Sequence, residues 1–570
     1  MWGNEYMKEQ KVHYDNIVSE IQSGNYEKAL ELLLPLIEKD IYNDEIAVLS
    51  ATINMACGME EDGFNHIIKG LEYNHANYEL YLMLADYYYQ KNINLAYICY
   101  ENAAYYCEQQ MGNDNDDYRY IYEALVDCKE KANVLPLHIC IVGKNSELVA
   151  ICKDSINNTF DIEDNNIHVV KENVALNNCI EEIGTDCDVL ILSDHVKLMP
   201  NSIYCMRMGL YSDANVGSVG AVSNQSNASS EIDFHSNNID DYYNYAIENN
   251  LPKCNAFEIK TWLEGYAFMI RRSLFMDIGG LNTEYYGGMT VEYQDLCTKI
   301  LEKGYRNILC WNSFVYCSLQ GGAYALPDTA SNRDKLESNI DIFKRRWGFH
   351  PGYYTQVRSD VLSLIDKDAK QIEVLEVGCG TGNTLGRVKK MFMHSEVKGI
   401  ELVEEVALVG AKNFDITCGD IEKMELPYKK GQFDYIIFGD VLEHLREPWD
   451  VLKKVHPYLK KDGCVLTSIP NIMNASVLYN LICGDFTYED SGILDRTHLR
   501  FFTYKEIIKM FMLNGYRVEE VYRNVVTDST TDNYPELFSA ILSVKGAASK
   551  EEFDTFQYIV KARKTNNIIT

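Results

Sequence analysis

The chain has 570 residues, too many for one ordinary core, and this length predicts roughly three or four domains. Its composition, with 46% hydrophobic and 24% charged residues, 11 Pro and 35 Gly, excludes collagen-like, disordered and low-complexity classes. Lys and Arg number 53 against 84 Asp and Glu, and the resulting net charge of −31 argues against nucleic-acid partners and peripheral membrane binding.

The 17 Cys residues are odd in number and scattered, without a CxxC pair or a zinc-ligand spacing. The start of the chain, Met1 to Glu5, lacks the basic and apolar pattern of a leader. No apolar run approaches the ~20 residues that cross a bilayer. We therefore expect a reduced, cytoplasmic protein that does not span a membrane.

Residues 1–134 are predicted to be wholly helical because apolar residues recur at helical spacing. Small residues recur with a period of about 34 residues, and this spacing resembles tetratricopeptide repeats over roughly 100 residues, although the usual terminal prolines are missing. The resemblance implies a surface for self-association or for a protein partner, and an irregular helical bundle is the alternative. The repeated positions are Ala29, Gly63 and Ala96 and, seven residues beyond each, Leu36, Gly70 and Ala103.

The same segment holds 9 basic and 24 acidic residues, a balance of −15, which is nearly half of the net charge. The acidity therefore mostly marks a solvated helical surface, or a docking face for a basic partner.

Residues 135–348 open with a predicted strand at residues 137–142. A second buried strand, residues 188–192, ends in Ser193, Asp194 and His195. A polar tip at the carboxyl end of a buried parallel strand is where α/β proteins bind ligands. Further polar and glycine-rich landmarks follow in order at residues 262–265, 271–281, 292–296 and 304–306.

This ordered series resembles family 2 glycosyltransferases of the GT-A fold. The resemblance implies that Asp194 and His195 bind Mn²⁺ or Mg²⁺ on the diphosphate of a nucleotide-sugar donor. It also implies that Glu292 or Asp295 deprotonates the acceptor hydroxyl. The sequence departs from the family in having one Asp at the tip and Tyr293 after Glu292. A GT-A scaffold that binds a sugar or a partner without turnover is the alternative.

Residues 349–570 contain a strand at 372–377 that runs directly into Gly378-Cys379-Gly380-Thr381-Gly382. This GxGxG spacing differs from the GxGxxG of dinucleotide-binding dehydrogenases. The next strand ends at Glu401, where a carboxylate can accept hydrogen bonds from both ribose hydroxyls. A third element leads to Asp420 and Ile421, where an Asp can meet an adenine amino group, and a fourth strand, 433–438, leads to Asp440.

Together these blocks resemble class I S-adenosylmethionine-dependent methyltransferases. The resemblance implies a Rossmann-like seven-stranded sheet, closed by strands at 517–521 and 556–560. It also implies a cofactor site for S-adenosylmethionine formed by Glu376, Gly378, Cys379, Gly380, Gly382, Glu401, Asp420, Ile421 and Asp440. An NAD-binding or ligandless Rossmann-like domain is the alternative.

Methyl transfer to a sugar hydroxyl needs a group that accepts the proton. His444 and His498 are the available neutral bases, and Asp495 can orient His498. A purely structural hydrogen bond is the alternative for each His. Asp495 and His498 are too few ligands to infer a metal.

The chain is thus predicted to be a multidomain α and α/β protein, with TPR-like repeats (1–134), a GT-A-like domain (135–348) and a class I methyltransferase domain (349–570). The predicted function is bifunctional: transfer of a sugar to a surface glycan or a glycoprotein such as flagellin, and O-methylation of a sugar. The alternative is a methyltransferase whose other two domains only bind.

Overall fold

The computed structural model describes residues 14–38, 42–225, 230–286, 290–318 and 329–565. The start of the chain, where no leader is predicted, lies outside these residues. The chain divides into two compact units, Met1–Glu258 with Trp262–Asn339, and Ile259–Thr261 with Ile340–Thr570. Within the described residues, no helix has both the length and the apolar character needed to cross a membrane.

The first unit begins with helices that pack on their neighbours along the chain. Asn43, Asn77, Asn92 and Asn115 cap four of them at the N-terminus. The repeated small residues lie inside this packing: a Cβ on Gly70 would lie 2.5 Å from Ala47 Cβ. The TPR-like assignment stays a prediction. The helices are α1 (14–22), α2 (Tyr26–Glu38), α3 (Asp44–Ala56), α4 (Glu60–Tyr73), α5 (Tyr78–Tyr89), α6 (Ile93–Met111) and α7 (Asp116–Lys129).

An eight-stranded mixed sheet follows these helices along the chain, and in it seven strands follow the order β2-β1-β3-β7-β5-β8-β4 while β6 pairs with β8. Strand β7 is antiparallel to both β3 and β5, whereas β1, β2 and β3 are parallel. A GT-A-like assignment stays a prediction. The strands are β1 (Leu137–Val142), β2 (Ile167–Val170), β3 (Asp188–Ser193), β4 (Val196–Lys197), β5 (Val216–Ser223), β6 (Phe257–Lys260), β7 (Ala267–Arg271) and β8 (Arg306–Cys317).

Helices flank this sheet. The helices that precede the sheet in the chain pack against the flanking helix Ser202–Leu210. The amide of Asn201 donates to Tyr81 Oη at 2.9 Å and accepts from Tyr106 Oη at 2.8 Å, and the buried Arg207 pairs with Glu101. The helices are α8 (Ser146–Asn157), α9 (Asn173–Glu182), α10 (Ser202–Leu210), α11 (Ile239–Asn249), α12 (Arg272–Asp277), α13 (Val291–Glu302) and α14 (Ala330–Trp347).

The second unit is built on a seven-stranded sheet of order β11-β10-β9-β12-β13-β15-β14. β15 is antiparallel to β13 and β14, and the other pairs are parallel. This confirms the predicted Rossmann-like sheet with its closing antiparallel strand. The strands are β9 (Glu373–Val377), β10 (Glu396–Glu401), β11 (Asp415–Cys418), β12 (Phe433–Asp440), β13 (Leu459–Pro470), β14 (Tyr516–Val525) and β15 (Thr555–Lys564).

Apolar cores cover both faces of this sheet because neighbouring residues of its central strands point to opposite sides. Leu375 and Ile436 enter one core, and Val374 and Ile437 enter the other. The helices are α15 (Ser359–Leu362), α16 (Asn383–Met391), α17 (Glu404–Gly410), α18 (Pro448–Val455), α19 (Ala475–Ile482), α20 (Tyr504–Leu513), α21 (Pro535–Leu542) and α22 (Lys550–Asp554).

Candidate active site

A cavity of about 520 Å³ lies in the second unit, where β9, β10 and β12 end. These strands are parallel neighbours, so the polar residues that follow them meet at one edge of the sheet. Nine of the residues predicted from sequence line this cavity: Glu376, Gly378, Cys379, Gly380, Glu401, Asp420, Ile421, Asp440 and His444. Their roles toward a ligand stay predictions.

The turn after β9 is held against the end of β10 by Glu401. Gly380 N donates to Glu401 Oε2 at 2.9 Å, and Val403 N donates to Oε1 at 2.9 Å. Gly380 has φ +55°, and a Cβ there would lie 2.4 Å from the carbonyl oxygen of Tyr354. Gly382 is not among the cavity-lining residues, and a Cβ there would meet Phe414.

Glu376 is a buried carboxylic acid at the wall of the cavity. Its Oε2 finds no hydrogen-bond partner in the described part of the chain. Burial raises its pKa to about 8, although Thr384 and Arg358 oppose the shift. The group is therefore mostly protonated at neutral pH in the absence of a ligand, and it must lose this proton to pair with a cationic ligand.

Arg358 brings a positive charge to the same cavity. Its Nε and Nη2 donate to the two carboxylate oxygens of Asp360 at 3.1 and 2.7 Å, and Nη1 donates to Asp440 at 2.5 Å. Asp440 also accepts from Gln557 at 3.0 Å. Asp440 is thus held in place by two donors at the lining of the cavity.

Asp420 and Ile421 line another part of the cavity, just beyond β11. Lys423 pairs with Asp420 at 2.8 Å, and the amide of Glu422 donates to it at 2.9 Å. The hydrogen bond from Lys423 is the largest cause that lowers the pKa of Asp420. This carboxylate is accordingly ionised and oriented.

Two histidines meet at the end of the cavity where His444 and Thr497 lie. The ring centroids of His444 and His498 are 4.7 Å apart, at an interplanar angle of 69°. Nδ1 of His498 lies 2.9 Å from the Ile493 carbonyl oxygen, and Nδ1 of His444 lies 3.2 Å from that of Thr497. Burial, followed by the neighbouring His498, lowers the pKa of His444, so this ring is neutral at pH 7.

Asp495 lies close to both rings but bonds to Thr497. Its Oδ1 accepts from Thr497 N at 2.7 Å and from Thr497 Oγ1 at 2.6 Å. Partial burial acts to raise its pKa, but these bonds and the two imidazoles outweigh it, and the pKa is lowered. The hydrogen-bond partner of the His498 ring is therefore Ile493 rather than Asp495.

Sequence reasoning passed over Glu443, Arg358 and the neighbouring tyrosines Tyr353 and Tyr354. Glu443 is buried directly before His444. Burial raises its pKa well above the usual value, and Asp440 adds to this shift. The Glu-His pair after a buried strand was a signal that could have found it. Arg358 and the tyrosines lie in a segment before β9 that carries no motif.

The other predicted site residues lie in the first unit. Asp194 follows β3, its Oδ2 accepts from Asn145 N at 3.3 Å, and a Cβ on Gly143 would lie 2.1 Å from the Asp194 carboxyl. Nδ1 of the buried His195 is 3.9 Å from Asp194 Oδ1 and has no hydrogen-bond partner among the residues described. These two side chains are thus close enough to share a ligand at the end of the parallel strands.

Glu292 and Asp295 lie on α13 and are buried. Asp295 pairs with Lys299 at 3.2 Å and accepts from Tyr285 Oη at 3.4 Å. The ion pair with Lys299 compensates part of the negative charge of Asp295. Whether either carboxyl acts as a base stays a prediction.

Residues 349–521 match the model of the family described as Methyltransferase domain. The matched residues include the glycine turn, Glu401, Asp420, Asp440 and both histidines. The C-terminal part of the chain therefore carries a methyltransferase domain.

Two curated relatives have a similarity confined to part of the chain. The demethylmenaquinone methyltransferase of Staphylococcus aureus is 32% identical over 122 residues, which is 20% of this chain and 50% of that protein. The malonyl-[acyl-carrier protein] O-methyltransferase of Bacillus cereus is 28% identical over 106 residues, 18% of this chain and 38% of that protein. The chain spans 38 to 53% of the length of the first curated relatives that it matches.

Solved structures similar to the chain include two S-adenosylmethionine-dependent methyltransferases. That of Mesorhizobium loti is 16% identical and covers 36% of this chain and 96% of its own, with a TM-score of 0.26. That of Archaeoglobus fulgidus is 15% identical and covers 39% and 99%, with a TM-score of 0.27.

Proposed function

We propose that the second unit binds S-adenosylmethionine in the 520 Å³ cavity and transfers its methyl group to a hydroxyl oxygen of a sugar. The observation that carries the proposal is the meeting of Glu376, Glu401 and Asp440 beside a glycine turn at the ends of three parallel strands. The match of residues 349–521 to a methyltransferase domain supports it.

The residues of the cavity fit this cofactor. Both oxygens of Glu401 retain lone pairs for a ribose diol after accepting the two backbone N–H groups. The unpartnered Oε2 of Glu376 can accept from the ammonium of the methionine part, and Asp420 can accept from an adenine amino group. When bound, S-adenosylmethionine supplies a methyl group on a positively charged sulfur.

The acceptor is proposed to enter beside His444 and Thr497. A hydroxyl must lose its proton as its oxygen becomes the nucleophile, and a neutral imidazole at this end of the cavity can accept that proton. Tyr353, which lines the cavity, offers an aromatic face for a sugar ring. The Bacillus cereus relative is named as an O-methyltransferase, which agrees with transfer to oxygen.

Cofactor binding is tested by titrating S-adenosylmethionine into the full chain and measuring heat. We expect one site in the wild type and at least tenfold weaker binding by Glu401→Gln, since charge-assisted hydrogen bonds contribute about 1.5–3 kcal/mol. Glu396→Gln, at the exposed start of the same strand, is the matched control and retains wild-type affinity. No binding by the wild type would refute the proposal.

The acceptor class is tested by mass spectrometry of the host's surface glycans with and without the gene. We expect the loss of a methyl group, one CH₂ in mass, from one sugar. Unchanged glycans, together with intact binding of S-adenosylmethionine, would leave methyl transfer in place but refute the sugar acceptor.

A second proposed activity, sugar transfer from a nucleotide sugar, rests on the placement of Asp194 and His195 at the carboxyl end of β3. Their carboxylate and unpartnered Nδ1 can hold Mn²⁺ or Mg²⁺ on a diphosphate. The acidic helices before the sheet would then bind the acceptor glycoprotein. The alternative is that both parts bind without turnover.

Sugar transfer is tested by titrating uridine and guanosine diphosphate sugars with Mn²⁺ into the wild type and Asp194→Asn. If the wild type binds a nucleotide sugar and Asp194→Asn does not, a donor site is supported. If the wild type binds none, the alternative is favoured. If glycans from a host carrying Asp194→Asn lose a sugar together with its methyl group, both activities act on one product.

A further inference from the structure

Glu443, His444 and His498 form a cluster of three side chains of types that bind metal ions. One ligand atom of each lies within 4.8 Å of the others. Glu443 and His444 belong to the short 3-10 turn Leu442–His444 after β12, whereas His498 comes from the segment between α19 and α20. The cluster adjoins the cavity through His444.

Oxygen acceptors orient both imidazoles of this cluster through Nδ1. A carbonyl oxygen only accepts hydrogen bonds, so His498 carries its proton on Nδ1, which donates to Ile493 at 2.9 Å. His444 Nδ1 lies 3.2 Å from the Thr497 carbonyl oxygen and 3.1 Å from Thr497 Oγ1. The Thr497 hydroxyl gives its own proton to Asp495, so both oxygens accept from this nitrogen. Each ring therefore keeps a lone pair on Nε2, and a carbonyl that fixes the other nitrogen is the usual support of a metal-binding His.

Glu443 gives an independent observation that points to a ligand. Its side chain is 1% exposed, and neither carboxylate oxygen has a hydrogen-bond partner within the described ranges. A buried carboxyl without partners is costly, whereas a cation between it and the two imidazoles would satisfy it.

We propose that Glu443, His444 and His498 bind a divalent transition-metal ion at the acceptor end of the cavity. Two imidazole nitrogens and one carboxylate suit Zn²⁺, Fe²⁺, Co²⁺ or Mn²⁺ better than Ca²⁺, because Ca²⁺ prefers a shell made only of oxygen ligands. Three protein ligands leave a position open for an external oxygen.

The catalytic role of the ion rests on the proposed function, whereas the binding of the ion is independent of it. An acceptor hydroxyl in the open position would lose its proton to solvent water, and its oxygen would keep the electron pair and stay bound to the cation. The two imidazoles then act as ligands, and neither takes the proton.

The experiment is a calorimetric titration of Zn²⁺, Mn²⁺ and Co²⁺ into the full chain after chelator treatment and dialysis. We expect one ion per chain and a Co²⁺ absorption spectrum that shows nitrogen ligation. Glu443→Gln and His498→Asn should each weaken binding by more than about 100-fold, because loss of a ligand costs more than loss of an orienting group. Metal should raise the melting temperature of the wild type but not that of Glu443→Gln. A cooperative melting transition of Glu443→Gln shows that this variant folds.

The matched control removes an imidazole from a second histidine pair. His138 Nδ1 lies 3.0 Å from His168 Nε2 in the first unit, and His138→Asn should leave the stoichiometry and affinity unchanged. Binding that this variant loses and Glu443→Gln retains would place the ion elsewhere and overturn the inference.

Titration of S-adenosylmethionine into the same samples separates the two proposals. Cofactor binding without metal binding overturns this inference and leaves the proposed function, with an imidazole as the base. Metal binding without cofactor binding overturns the proposed function and leaves the metal site.

Discussion

At the scale of single residues, the carboxyls around the cavity differ in the hydrogen-bond donors that they already bind. Glu401 has both oxygens on backbone amides, and Asp440 is held by Arg358 and Gln557. Glu376 keeps one oxygen unpartnered within the described residues, and its pKa is about 8. Such a group exchanges a proton for a cation when a positively charged ligand binds.

Glu376 should make cofactor affinity depend on pH. Ionisation of this carboxyl is needed to pair with an ammonium, so we expect S-adenosylmethionine to bind more tightly as pH rises from 6 to about 8, with release of a proton. Glu376→Gln should be pH-independent in this range and about 10- to 100-fold weaker at pH 8. Calorimetry in buffers of different ionisation enthalpy measures both effects.

Glu376 should also make the free energy of unfolding depend on pH. Because burial raises the pKa of Glu376 above its ordinary value, its contribution is fully present below pH 4.5 and is lost as pH rises through about 8. Glu376→Gln should therefore gain stability relative to the wild type between pH 6 and 9, as measured by urea unfolding. Glu373→Gln, at the start of β9, is the control, and parallel pH profiles for wild type and Glu376→Gln would contradict the prediction.

At the scale of elements, the turn between β9 and α16 depends on the close approach of two backbones. Gly380 adopts φ +55°, and its Cα faces the Tyr354 carbonyl at a distance that leaves no room for a side chain. The segment containing Tyr354 thereby closes over the end of β9 and brings Arg358 to the cavity.

Gly380→Ala should therefore destabilise the second unit and disturb its cavity. Strain at positive φ costs about 1–3 kcal/mol, and the 2.4 Å contact with Tyr354 adds to it. Gly431→Ala is the control, because φ there is +70° but nothing lies within 4 Å of the added Cβ. Urea unfolding should show a larger loss for Gly380→Ala, and only this variant should weaken cofactor binding. Equal losses would show that the close approach is unimportant.

At the scale of the whole molecule, the chain comprises two compact units, each with its own apolar core. We expect two calorimetric unfolding transitions, since separate cores unfold as separate cooperative units. S-adenosylmethionine at 100 times its dissociation constant should stabilise its unit by about 2.7 kcal/mol and raise that transition by about 5–10 °C.

The variant Glu401→Gln identifies the transition that responds to the cofactor. At the same ligand concentration its shift should be smaller, while the other transition stays where it is in the wild type. A single transition that moves as a whole would show that the two units unfold together.

The fold of the second unit was largely predictable because its signals are local. Each pattern spans only a few residues: a run of β-branched residues, a glycine turn, or a polar residue at the end of a strand. β9, β10 and β12 lie where these patterns predict them. The strand partners of β14 and β15 came from the family resemblance. The TPR-like and GT-A-like assignments rest on weaker, longer-range patterns and stay predictions.

The sequence by itself predicted the central strands of the second unit and nine of the residues that line its cavity, because backbone conformation and strand-end position are properties of short segments. Only the tertiary structure decided which distant side chains meet. Arg358 reaches Asp440 across 82 residues, and the His444 ring meets the carbonyl of Thr497 across 53. The approach of His498 to Glu443 likewise depends on where the segment after α19 returns to the sheet. Long-range packing sets that return, and no local pattern in the sequence encodes it.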